Sequence, residues 1–102
     1  MAQRQVTLLP EAELDLIDIE CRIRVNNGER VAERKLNEIA RRIDLVAFAP
    51  GVGRQRTDID GATLYFTVVD AWYIIYEDVE DKNLILVHRV VRTDYYNQYL
   101  AP

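Results

Sequence analysis

Ala47-Phe48-Ala49-Pro50-Gly51-Val52-Gly53-Arg54-Gln55-Arg56 is the stretch that decides how this chain folds. A long amphipathic pattern runs into it, and three apolar, strand-like runs follow it. Pro50 and Gly51 stop a helix, the first because it lacks an amide hydrogen, the second because it tolerates the dihedrals of a chain reversal. Gly53 allows a second reversal of the backbone. Arg54 and Arg56 are then expected to leave a turn held by the helix end.

Upstream of that turn the pattern is helical. Gln5 to Leu9 is a short β-prone run and reads as a first strand. Pro10 suits the first turn of a helix, and Glu11, Glu13, Asp15 and Asp18 favour its positive N-terminal end. This first helix is expected from Pro10 to Val25. Asn26-Asn27-Gly28 closes it, with Gly28 free to take a positive φ. A second helix is expected from Glu29 to Phe48, and so short a link makes the two an antiparallel hairpin. Ala32, Leu36, Ile39, Ile43 and Val46 share one face of the second helix, and Arg30, Arg34 and Arg41 lie opposite them. The first helix carries two apolar stripes. Ala12, Leu16, Ile19 and Ile23 form one; Leu14, Ile17, Cys21 and Val25 form the other, about 180° away at 100° per residue. The helix is therefore expected to be covered on both sides, once by its own domain and once by either a further intramolecular neighbour or a separate chain. On these grounds the second stripe is expected at an interface with a second copy of the chain or with a partner chain.

Downstream the period changes to that of strands. Thr63 to Val69, Trp72 to Val79 and Leu84 to Val91 are rich in β-branched and aromatic residues. Asp70-Ala71 and Glu80-Asp81-Lys82-Asn83 read as hairpin links. Leu84-Ile85-Leu86-Val87 is continuously apolar, as for a strand covered on both faces. A short helix or tail is expected after Thr93. The expected fold class is α+β in two layers: an N-terminal strand, a helical hairpin and a three-stranded antiparallel meander, in the order β-α-α-β-β-β.

The 102 residues fit a single domain, residues 1–102, and 49% apolar with 29% charged side chains is an ordinary globular composition. No apolar run approaches the roughly 20 residues of a membrane span. The N-terminus lacks a signal-peptide pattern, so a cytoplasmic location and no membrane partner are expected. The single Cys21 excludes an internal disulfide and a multi-cysteine metal site, and reads as a small buried or interface residue. No metal-ligand spacing, Ser-His-Asp series or phosphate loop occurs, so neither a metal nor a cofactor is expected. Net charge is −4. Residues 1–56 hold 10 basic and 9 acidic side chains, whereas residues 57–102 hold 3 basic and 8 acidic. A surface that grips nucleic-acid phosphates is normally basic.

Four segments resemble the toxins of the bacterial ParE/RelE superfamily of type II toxin–antitoxin systems. Leu9-Pro10-Glu11-Ala12-Glu13-Leu14-Asp15-Leu16-Ile17-Asp18-Ile19 is similar to the family's opening helix. Pro50-Gly51-Val52-Gly53-Arg54 is similar to its Pro-Gly-hydrophobic-Gly-Arg turn. Trp72-Tyr73-Ile74-Ile75-Tyr76 resembles the aromatic-ended strand, and Leu86-Val87-His88-Arg89-Val90-Val91 the last strand. The resemblance implies a growth-inhibiting toxin, of the kind that serves plasmid stabilisation, neutralised by a cognate antitoxin. ParE-type members inhibit DNA gyrase by protein contact without known catalysis. RelE-type members cut messenger RNA on the ribosome. The acidic balance points to the ParE type, with DNA gyrase as partner. A RelE-like endoribonuclease, and a non-toxic interaction module that kept the fold, are the alternatives. A homodimer or a toxin–antitoxin hetero-oligomer is compatible with either toxin reading.

Arg54, Arg56, Arg89 and Arg92 are the expected target-binding residues, and the two segments that carry them are expected to approach one edge of the sheet. In the RelE-like alternative the catalytic candidates are Arg89, Arg92, Tyr95 and Tyr96. Arg is a poor general base because it stays protonated. Arg89 and Arg92, three apart on a strand, are expected on opposite faces. His88 is expected to be a hydrogen-bonded structural histidine, and Trp72 a core residue.

Overall fold

In a computed structural model of the chain, residues 3–59 and 62–94 are described, and among residues 56–59 and 62 the backbone alone. The elements are β1 (Gln5–Leu8), α1 (Pro10–Asn27), α2 (Glu29–Phe48), β2 (Arg54–Ile59), β3 (Ala62–Val69), β4 (Trp72–Val79) and β5 (Leu84–Arg92), with short 3₁₀ turns at Pro50–Val52 and Glu80–Lys82. The five strands form one sheet in the order β1-β5-β4-β3-β2. The expected strand, helical hairpin and meander are all present. Two corrections follow. The segment from Arg54 forms an additional strand, antiparallel to β3. The sheet is also mixed rather than antiparallel throughout, because β1 runs parallel to β5. The short C-terminal helix or tail lies outside the described residues.

The helical hairpin turns on a single residue. Gly28 has φ 93°, donates its N–H to the Arg24 carbonyl that α1 leaves open, and offers its own carbonyl to Ala32 at the start of α2. α1 starts on Pro10 with no side-chain cap, and runs two residues beyond the expected Val25.

One stripe of each helix faces the sheet. Ala12 and Ile19 from α1 and Ile39 and Val46 from α2 join Trp72, Ile74, Tyr76, Ile85, Val87 and Val90 in one buried cluster, and Leu16, Ile23, Leu36 and Ile43 pack against it. Trp72 is thus a core residue, as expected. Arg30, Arg34 and Arg41 are exposed on the far side of α2.

The helices cover only one sheet face. Within Leu84-Ile85-Leu86-Val87, Ile85 and Val87 are buried beneath them, whereas Leu84 and Leu86 are only partly buried, so the expectation of cover on both faces is corrected. On the other face Phe66 and Ile75 form a smaller cluster with Leu64, Tyr73 and Val91, and Phe66 meets Tyr73 edge-on at 6.0 Å. The β4–β5 register slips by one between Ile75 and Tyr76, leaving His88 as the extra residue of a bulge. The slip lets Val87 and Val90, three residues apart, both reach the helix-covered core.

Candidate functional site

The Pro50–Gly53 turn is held from inside. The Tyr76 hydroxyl donates to the Pro50 carbonyl at 2.7 Å and accepts from the Gly53 N–H at 3.0 Å. Tyr76 itself is fully buried on β4, stacked on Tyr65 with ring centroids 5.4 Å apart. Burial raises its pKa above the ordinary 10.0, because a phenolate there would lose its hydration; the Gly53 N–H offsets part of the rise. Gly53 does not supply a second reversal: its backbone is extended, at φ −84° and ψ 167°. It is glycine for lack of room. A Cβ there would lie 2.6 Å from the Tyr76 hydroxyl and 3.0 Å from the Phe66 carbonyl oxygen. Gly51 has open space around it.

This rigid turn presents an apolar and cationic surface. Phe48, the last residue of α2, is 75% exposed, and Leu45 and Val52 are also exposed large apolar side chains. Arg54 follows, exposed, and makes no ion pair among the described residues. Phe48 and Val52 were not among the residues expected to contact a target. Their signal was in the sequence, as two apolar side chains flanking a turn that leaves no layer above them.

The other two expected target-binding cations with described side chains are engaged. Arg89 donates from Nε to Asp15 Oδ2 at 2.7 Å and from its second guanidinium nitrogen to Asp15 Oδ1 at 3.0 Å. Arg92 pairs with Asp94 at 3.1 Å. Arg89 and Arg92 do point to opposite faces, since their register partners are Ile75 of the far cluster and Trp72 of the helix-side core. His88 hydrogen-bonds Glu77 across the β4–β5 pair at 3.1 Å, as expected of a structural histidine.

The two arginine segments do not meet at one edge. Arg54 is on edge strand β2, and β3 and β4 separate it from Arg89 and Arg92 on β5. Arg54, Phe66, Ile75 and Arg89 instead share a cross-strand row, which puts the two cations roughly 14 Å apart at ~4.8 Å per strand. Only the backbone of Arg56 is described, and Tyr95 and Tyr96 lie outside the described residues.

Beside α1, Asp15, Asp18, Arg22, Trp72, Arg89 and Arg92 line an open cleft of about 420 Å³ with mixed charge. The second stripe of α1 is uncovered: Leu14, Ile17 and Val25 are 66%, 64% and 78% exposed, and Cys21 is exposed too. Of the two readings of Cys21, buried or at an interface, its exposure overturns the first. Among the described residues no group of three or more His, Cys, Asp or Glu could hold a metal, and no helix is long and apolar enough to cross a membrane.

Fold and site together define a small α+β protein whose exposed features are a pinned turn and an apolar helix ridge. The family model of the ParE toxin of the type II toxin–antitoxin system parDE matches residues 6–94, and the chain belongs to that family. Solved structures share its fold. In the chromosomal ParDE system of P. aeruginosa a chain matches at TM-score 0.72 and 17% identity, covering 88% of this chain and 96% of that one. In the RelBE2 toxin–antitoxin complex of Mycobacterium tuberculosis a chain matches at TM-score 0.58 and 15% identity, covering 90% of this chain and 93% of that one. No curated protein sequence matches the chain.

Proposed function

We propose that this ParE-family toxin inhibits DNA gyrase by protein–protein contact and is neutralised by a cognate antitoxin. The observation that carries the reading is the pinned turn, which holds Phe48, Val52 and Arg54 out to solvent. Aromatic and arginine side chains on a rigid support are the usual anchors of protein interfaces. Arg54 and Arg56 are the proposed cationic contacts. Arg89 and Arg92 contribute to the target surface by exchanging their carboxylate partners. The net charge of −4 and the carboxylates already seated on Arg89 and Arg92 weigh against a phosphate-binding, RNA-cleaving centre. The antitoxin partner is supported by family membership and by the RelBE2 neighbour, itself a toxin–antitoxin complex.

The test is induced expression with and without the antitoxin gene, followed by gyrase supercoiling assays and mapping of messenger cleavage. Inhibited supercoiling with intact messenger is the expected result. Ribosome-dependent cleavage would establish the RelE-like reading instead, and unimpaired growth the non-toxic module.

A further inference from the structure

The exposed stripe of α1 is a narrow apolar ridge. Leu14, Ile17, Cys21 and Val25 fall within an arc of about 80° at 100° per residue, a narrow seam of the kind that pairs two helices rather than seats a helix on a sheet. All four are exposed, while the opposite stripe is spent on the core. The charges beside the seam are ordered. Glu11, Asp18 and Arg22 border one side, and Glu13, Glu20 and Arg24 the other. On both sides the acids come first and the base last.

That polarity selects the partner. A second copy of α1 laid antiparallel brings the acidic end of each helix against the basic end of the other, on both borders at once. A parallel copy would stack like charges. We infer that the Leu14–Val25 face of α1 docks a second copy of this chain, as an antiparallel pair of α1 helices about a two-fold axis. Such an interface is isologous, so each contact occurs twice. Leu14 meets Val25 of the second copy and Ile17 meets Cys21, while Asp18 faces Arg22 and Glu13 faces Arg24. Asp18–Arg22 and Glu20–Arg24 are ion pairs within each helix, which holds these carboxylates and guanidinium groups along the seam's borders. The inference does not rest on gyrase being the target. The seam lies on α1, which packs over β5, whereas the pinned turn leads into β2 at the other edge of the sheet.

Sedimentation velocity on the full chain, without antitoxin, tests it through charge reversal. One variant carries Glu13→Arg and Asp18→Arg, the other Arg22→Glu and Arg24→Glu. The native chain should show a concentration-dependent dimer. Each variant alone should be monomeric, and an equimolar mixture should restore the dimer, because only the mixed pair sets opposite charges face to face. All four positions are on the helix surface, and unchanged circular dichroism checks the fold. Leu14→Glu with Ile17→Glu should also give a monomer. A native chain that stays monomeric over its soluble range overturns the inference, as do reversed variants that dimerise like the native chain. Protection of Cys21 from alkylation only after antitoxin is added would assign the seam to the antitoxin and overturn it equally.

Discussion

The Asp15 carboxylate fastens α1 to the free edge of β5 by gripping Arg89. It takes two hydrogen bonds from the Arg89 guanidinium and a third, at 2.9 Å, from the neighbouring Val90 N–H. β1 pairs with β5 only as far as Val87, so Val90 donates beyond the end of that ladder. A carboxylate thus occupies an edge donor that would otherwise be open to another strand. Asp15→Ala removes the acceptor of all three bonds and should cost about 1.5–3 kcal/mol, the range for hydrogen bonds involving a charged group. Arg89→Ala should cost less, about 1 kcal/mol, because the Val90 N–H keeps its acceptor and the guanidinium is partly exposed. Urea unfolding of both variants and of the double variant checks the order.

Tyr76→Phe tests the pin beneath the turn. Loss of the hydroxyl strips partners from the Pro50 carbonyl and the Gly53 N–H, and should cost roughly 1–3 kcal/mol. The same variant carries a pH signature. Folding raises the Tyr76 pKa, so its favourable contribution is fully present below the unfolded value near 10.0 and is lost as pH climbs through the folded value. Native stability should therefore fall with a steeper slope above that pH than the stability of Tyr76→Phe. Equal slopes in denaturant titrations across the alkaline range would contradict this account.

The two glycines of the turn should respond differently. Gly53→Ala forces a methyl group against Tyr76 and the Phe66 carbonyl, an overpacking worth about 1–3 kcal/mol of destabilisation. Gly51 has a clear surround and no positive φ, so Gly51→Ala should be neutral or stabilise by ~0.4–1 kcal/mol through the unfolded chain. Thermal melts would show this as a drop of several degrees for the first and little change or a small rise for the second. A matched drop in both would mean that room at Gly53 is not the controlling factor.

Phe48→Ala and Arg54→Ala should each weaken growth inhibition without lowering soluble yield, since both side chains are exposed. Each should cost gyrase affinity by about 2 kcal/mol or more, the size expected of an interface anchor. The measurement is colony survival after induction, beside titration of supercoiling inhibition. The quadruple alanine variant at Arg54, Arg56, Arg89 and Arg92 should lose toxicity too, but part of its loss should track the instability of Arg89→Ala. Full toxicity in Phe48→Ala and Arg54→Ala would remove the turn from the target surface.

Local pattern alone determined the order of every helix and strand except β2. The 3.6-residue stripes of Ala12 to Ile23 and Ala32 to Val46, the stops at Gly28 and Pro50, and the apolar runs of β3, β4 and β5 are each written within a few consecutive residues. The unpartnered stripe of α1 was legible for the same reason, because a helix displays its faces in its own sequence. Tertiary structure decided what depends on distant neighbours. The polar run Arg54-Gln55-Arg56-Thr57-Asp58-Ile59 has no strand signature and is a strand because β3 offers it an edge to pair with. β1 lies parallel to β5, a pairing of Gln5–Leu8 with Leu84–Val87 that joins the two ends of the described chain. The bulge at His88, the closeness of Gly53 to Tyr76 and the grip of Asp15 on Arg89 link residues 11, 23 and 74 positions apart. No periodicity reaches that far: such contacts are chosen when the whole core closes, by which side chains then fill space and which charges then find one another.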